Sequence, residues 1–162
     1  MAQTTSRWTI SAYRGQGLDC LCGNLRMASR ALTSVYDAHL GRCGLTANQL
    51  AVLWCVLARE PAAMSDISRT VVMDKTTVSR NIASLVARDL VRTRSGRDSR
   101  RRFVTTTPNG RRRFVAALPA WEAAQSQVAQ TIGKAMFAGL GRQAKAVARA
   151  LARRPGKADR GG

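Results

Sequence analysis

The sequence predicts a mainly α-helical domain with one small β-hairpin, and three observations lead to that reading. Apolar residues recur at spacings of three and four over most of the chain, as on the buried faces of amphipathic helices. Residues 90–106 break this rhythm: Leu90-Val91-Arg92-Thr93-Arg94 and Arg102-Phe103-Val104-Thr105-Thr106 read as strands flanking a long basic tip. Several helix starts carry full capping signals. At 162 residues and 45% hydrophobic content the chain has single-domain length and enough apolar material for a modest core.

Residues 1–17 read as an N-terminal arm. Leu18, Leu21, Cys22, Leu25, Ala28, Leu32, Tyr36 and Leu40 then place a first helix over residues 19–40, with Asp19 as its N-cap. Gly41 to Gly44 ends it. Thr46 and Gln49 form a capping box, Leu45 and Leu50 a hydrophobic staple, for a second helix through Leu57. Leu50, Leu53, Trp54 and Leu57 share one face of that helix while Val52, Cys55 and Val56 make the others apolar too, so it belongs at the centre of the domain.

Met64, Ile67, Val71 and Met73 mark a shorter helix and a tight turn. Asp74 caps the next helix, with Met73 and Val78 at the staple positions. At 3.6 residues per turn Val78, Ile82, Leu85 and Val86 face inward, and Thr76, Thr77, Arg80 and Ala83 outward. Two helices joined this way are the helix-turn-helix, whose second helix enters the major groove of DNA. Arginine reads guanine through paired donors, whereas phosphate contacts only position. Thr76, Thr77 and Arg80 are therefore expected on base edges, and Lys75 and Ser79 on phosphates. The basic hairpin beside them, with Arg94, Arg97, Arg100 and Arg101, completes a winged helix-turn-helix and is expected to reach an adjacent minor groove.

Thr107 caps a further helix with Pro108 at its first position. Phe114, Leu118, Trp121, Gln125, Val128 and Ile132 form its near-heptad stripe, which Pro119 should kink. Beyond Gly133, Leu140, Ala144, Val147 and Leu151 form a last stripe up to Arg153, and residues 155–162 read as a disordered polar tail. These outer helices carry more apolar stripe than a small winged helix can cover. Leu25, Leu32, Leu118, Trp121, Val128 and Leu151 would stay partly exposed unless they pack on their own core or on a second copy. A twofold homodimer built from the N- and C-terminal helices would set two recognition helices about 34 Å apart, matching a palindromic operator on double-stranded DNA.

Lys and Arg total 27 against 9 Asp and Glu, a net charge of +18 that favours a polyanion as partner. Ten arginines and two acids fall between Arg88 and Arg113, beside the proposed reading head. They lie on a hairpin and not along one helix face, which argues against a membrane surface. No signal-like segment and no apolar run of about 20 residues is present, so a cytoplasmic protein is expected. Cys20, Cys22, Cys43 and Cys55 should then be reduced thiols. Cys20 and Cys22 diverge by about 200° on a helix, and His39 is the single histidine, so no metal site is expected. With no Gly-rich phosphate loop, no GxSxG elbow and no paired carboxylates on one face, the sequence offers no catalytic residues and no cofactor. An architectural DNA-binding protein without an operator, or a thiol enzyme using Cys22, stay open as other classes.

In order, LT..Q..VL around Leu45 to Leu53, D.TTVSRNI..L from Asp74 to Leu85, and the R.D.R tip followed by GRRRF resemble the MarR family of winged-helix transcription regulators. The resemblance spans about Leu18 to Trp121. It implies a single domain over residues 18–154, with 18–44 and 108–154 as dimerisation helices and 45–107 as the winged helix-turn-helix. It also implies a repressor more often than an activator, with release by a small aromatic acid bound near Tyr36, Trp54 and the first helix. In this family Asp98 would hold the tip through a neighbouring arginine; an ordinary turn aspartate is the other reading. Hydroperoxide-sensing members carry a reactive cysteine eight residues before an arginine and fourteen before a tyrosine, a spacing that Cys22, Arg30 and Tyr36 match. Ala47 and Gly23 depart from that pattern. Cys22 thus stands as a redox candidate toward organic hydroperoxide, or as interface packing.

Overall fold

The computed structural model describes residues 20–96 and 101–152. Helix α1 (Leu21–Leu40) runs through a 3-10 turn (Gly41–Cys43) into α2 (Ala47–Ala58). Then come β1 (Ala62–Ala63), α3 (Met64–Val71), α4 (Lys75–Ala87), β2 (Val91–Ser95), β3 (Arg102–Thr106), α5 (Pro108–Ile132) and α6 (Lys134–Ala152). Gly44, at φ 68, lets the chain bend by 74° between α1 and α2. The capping box closes as the sequence predicts: Thr46 Oγ1 accepts from Gln49 N at 3.2 Å and Gln49 Oε1 from Thr46 N at 3.1 Å. Asp37 Oδ1 takes the next free amide, Ala47 N, at 2.7 Å, fastening the start of α2 to α1.

The apolar run of α2 fills the middle of the molecule. Leu50, Val52, Leu53, Cys55 and Val56 are buried, packed with Leu40, Leu45, Ile67, Val78, Ile82, Leu85, Leu90, Val91 and Val104. Trp54 lies off that core, 45% exposed, and stacks edge-on against Phe114 and Trp121 at centroid distances of 5.4 and 5.5 Å. Two further assignments change. Val86 is exposed at the end of α4, whereas Val128 is buried, taken up by packing of α5 against α1. The first helix starts at Leu21 with Cys20 as an N-cap that makes no side-chain bond; the cap expected at Asp19 falls outside the described residues.

The hairpin is present, with Val91 opposite Thr106 and Ser95 opposite Arg102. A third strand, unforeseen, joins it: the sheet order is β1-β3-β2, with Ala62 opposite Val104 and Ala63 opposite Phe103. Two alanines carry no alternation from which a strand could be read. They pair because β3 needs a partner on its second edge, and the result is a fully buried Val104.

Recognition helix, hairpin and α5 meet at one joint. Thr107, 1% exposed, donates its hydroxyl to Asp89 O at 2.6 Å and accepts from Gly110 N at 2.9 Å, while its own amide donates to Leu90 O at 3.1 Å. The first turn of α5 sits so close that a Cβ on Gly110 would lie 1.9 Å from Leu90 O. Farther along, Tyr36 Oη donates to Gln125 Oε1 at 2.6 Å and His39 Nε2 meets Gln127 Oε1 at 2.6 Å, binding α1 to α5. The far ends remain uncovered: Leu21, Leu25, Met27 and Leu32 of α1 and Met136, Leu140, Val147 and Leu151 of α6 are exposed. No single helix among the described residues is long and apolar enough to cross a membrane.

Gly110→Ala is expected to destabilise the protein by about 1–3 kcal/mol, because the added methyl meets backbone that cannot yield. Gly139→Ala, in α6 with nothing within 4 Å of the added carbon, should instead stabilise by roughly 0.5–1 kcal/mol. Urea titrations of both variants check the pair, and equal signs would contradict the close approach.

Candidate nucleic-acid interface

Helix α3 ends where Val72 takes a left-handed conformation, φ 52. Ser68 closes the turn from both sides: its hydroxyl donates to Met73 O at 2.7 Å and its carbonyl accepts from Met73 N at 3.2 Å. Asp74 then starts α4, its carboxylate accepting from Thr77 N at 2.8 Å and from Thr77 Oγ1 at 2.6 Å. These bonds, the Thr77 hydroxyl foremost, hold the Asp74 carboxyl below its ordinary range.

The inward face of α4, Val78, Ile82 and Leu85, is locked in the core. On the opposite side Lys75, Thr76, Ser79, Arg80 and Ala83 are exposed. Thr77 differs from its neighbours. It is half-buried, with its only hydroxyl proton committed to Asp74, so its role in the structure is to fix the helix start. Asn81, reaching back to Thr77 O at 2.9 Å, reinforces the same turn.

In the hairpin, Gly96 N donates to Arg101 O at 2.7 Å and closes the neck of the tip. Arg94 and Arg101 are exposed, and the Arg94 guanidinium lies 6.0 Å from the Phe103 ring centroid, a cation–π distance. Arg97, Asp98 and Arg100 fall outside the described residues. The hairpin is anchored by Glu60, a residue the sequence reading passed over. Its Oε1 accepts from both Thr106 N and Thr106 Oγ1, and its Oε2 pairs with Arg111 on α5. An acid directly before Pro61, just ahead of the small apolar pair Ala62-Ala63, was the available signal. Arg69 with Asp66 and Arg92 with Asp89 make the other ion pairs among the described residues. Lys75, Arg80, Arg94 and Arg101 are exposed and have no carboxylate within pairing distance among those residues.

Behind the reading head lies a cleft of about 620 Å3, lined by Tyr36, Trp54, Arg59, Thr70, Val71 and Trp121 and floored by Leu50 and Cys55. It lies beside Tyr36, Trp54 and the first helix, the position that the family resemblance suggests for a cleft. Burial raises the pKa of Tyr36 at its edge. Cys22 occupies the first turn of α1, exposed, with an Arg26 guanidinium nitrogen 3.8 Å from its sulfur. Tyr36 is fourteen residues along the same helix, about 21 Å at 1.5 Å per residue, so one chain does not bring the two together.

A family model described as the MarR family matches residues 44–102. The transcriptional regulator MosR of M. tuberculosis, solved in complex with DNA, is 30% identical; the match covers 79% of this chain and 98% of that one, with a TM-score of 0.64. Two more distant structures share the fold. BpsR of Bordetella bronchiseptica, whose DNA binding is described as regulated by 6-hydroxynicotinic acid, is 21% identical with a TM-score of 0.72 over 82% of this chain and 96% of its own. CouR of Rhodococcus jostii RHA1, bound to p-coumaroyl-CoA, is 18% identical with a TM-score of 0.68 over 80% and 92%. No curated protein matches the chain.

The Asp74 cap gives a pH signature. Its carboxyl titrates lower in the folded than in the unfolded chain, so its contribution is present above the unfolded value of 3.8 and is lost as pH falls through the lower folded value. Asp74→Asn keeps a good capping side chain without the charge. Melting curves between pH 6 and pH 2 should show a loss below about pH 4 in the wild type that is smaller in the variant. Parallel curves would remove the cap from the acid response.

Proposed function

We propose, proceeding from the fact that the chain belongs to the MarR family of DNA-binding transcription regulators, that it acts as a homodimeric, sequence-specific repressor. The observation that carries this reading is the exposed row Lys75, Thr76, Ser79 and Arg80, on a helix whose other face is fixed in the core. Arg80 and Thr76 face base edges, Lys75 and Ser79 phosphates, and Thr77 holds the helix start. Residues 45–107 act as the reading head, and 18–44 with 108–154 join two copies. The uncovered apolar ends of α1 and α6 support that division, since an exposed patch of this kind is normally covered by a partner. Arg94 and Arg101 at the neck of the hairpin, with Arg97, Asp98 and Arg100 at its tip, reach the minor groove.

The cleft beside Trp54 and Trp121 accepts a flat aromatic acid, its rings offering stacking faces and Arg59 a cation. Binding there weakens the hold on DNA. A second input is favoured by the exposed Cys22 thiol beside Arg26. A hydroperoxide would oxidise it to sulfenic acid with release of the alcohol, placing a polar group on the dimer-facing end of α1.

Sequence preference is measured by selection from a random duplex library. Arg80→Ala should relax the preference at one base pair per half-site, a loss of about 1–3 kcal/mol of discrimination, with other positions unchanged. Equal weakening on all sequences would assign Arg80 to phosphate. Sedimentation should give a dimer for the wild type and a monomer for a Leu25→Lys, Leu151→Lys double variant that remains helical. A panel of aromatic carboxylates should include one that raises the melting temperature and lowers DNA affinity together; no shift across the panel would count against the cleft as a switch.

A further inference from the structure

Val72 lies two residues before the cap of the recognition helix and has no packing task. It is 70% exposed, yet it is a β-branched residue at φ 52, a conformation that glycine or asparagine adopts without strain and valine does not. An outlier of this kind persists where surrounding structure imposes it, and here Ser68 clasps the following residue from both sides. The backbone therefore holds the valine outward in one fixed direction.

Its surroundings give that direction a meaning. Val72 shares an open concavity of about 540 Å3 with Ser65, Ser68, Arg69, Met73 and Lys75. Lys75 is the first residue of α4, so the concavity continues into the outward row of the recognition helix. That row consists of donors and acceptors, Lys75, Thr76, Ser79 and Arg80, with little apolar surface besides Ala83. Such groups can meet the hydrogen-bonding edge of any base pair. Thymine also presents a methyl group in the major groove, which is met by an apolar side chain.

Resting on the reading of this protein as a sequence-specific DNA-binding regulator, we propose that Val72 is a specificity residue that packs its methyl groups on the C5-methyl of a thymine at the edge of each half-site. Valine is held in a strained turn because glycine, which would fit the backbone better, leaves that methyl in water.

The test compares wild type, Val72→Gly and Val72→Ala in selection from a random duplex library, followed by melting and by affinity for the wild-type consensus with each thymine replaced by uracil. Val72→Gly should melt at or above the wild-type temperature, since it relieves strain and uncovers little. Both variants should lose a thymine preference at one position that the wild type shows. Uracil there should weaken wild-type binding about fourfold, the value of one buried methyl, and leave both variants unaffected. An unchanged preference in the variants overturns the proposal, as does weakening that is uniform over all sequences, which would mark a backbone contact. A marked fall in melting temperature of both variants also overturns it, because the side chain would then serve the fold. A wild type with no sequence preference removes the regulator reading itself, and this inference falls with it.

Discussion

The peptide carbonyl of Leu90 is the point on which the reading head depends. It accepts from Thr107 N and lies against Gly110 with no room for a side chain, so the chain leaving α4 and the chain entering α5 are held at backbone contact. Thr107 fastens the same place through Asp89 O and caps α5. Recognition helix, hairpin and long C-terminal helix therefore share one joint, made of groups whose positions side-chain rotation cannot adjust. Glu60 adds a second tie across β3 and α5. A carboxylate only 18% exposed on its side chain costs desolvation, which its two bonds to Thr106 and its pairing with Arg111 offset. The hairpin is thus fixed at its base while its tip is left to the arginines.

Local rules made most of this arrangement readable. The capping box of α2 and the Thr107-Pro108 start announce themselves because each satisfies orphan amides with residues three apart in sequence. On the inward face of α4, Val78, Ile82 and Leu85 followed from helical period alone, whereas Val86 at its end did not. What was not legible depends on partners far away in the chain. β1 exists because β3 has a free edge, and Glu60 matters because Thr106 and Arg111 arrive beside it. Val128 looked like spare apolar surface until α1 was found packed on α5. Trp54 erred the other way: period placed it inward with Leu50 and Leu53, but its width is accommodated only at the aromatic stack with Phe114 and Trp121. At the reading head, outward positions were legible and the engagement of Thr77 was not, since a threonine three residues after an acid fits a base contact and a cap equally well.

Charge and geometry make different contributions to the proposed interface. The excess of +18 would hold any polyanion, with an affinity that falls as salt displaces condensed counterions. Discrimination among sequences needs a few groups held at fixed positions, and those are found where the backbone is most constrained: the Ser68 clasp, the Asp74 cap and the first two turns of α4. The exposed guanidiniums of Arg94 and Arg101 stand instead on the hairpin.

The cleft and the reading head are joined by a single residue step. Thr70 and Val71 line the cleft, and Val72 opens the turn that sets α4. A close-packed interior passes displacement on because it cannot absorb it, so a ligand in the proposed cleft that pressed on Val71 would act on the turn. A ligand can shift DNA occupancy only by its difference in affinity between the competent and incompetent states. Moving a population from about 99:1 to 1:99 requires a total factor of about 10⁴. In the proposed dimer two clefts act on one paired reading head, so each needs only about a hundredfold preference, or about 2.7 kcal/mol. That is within the range of ordinary site-to-site coupling, and loss of an aromatic stack or of one charge-assisted bond at the cleft would be enough to supply it. A monomer with one cleft would need the whole factor from a single ligand, so in the proposed dimer the uncovered faces of α1 and α6 would bear on the switch as much as on the spacing of the half-sites.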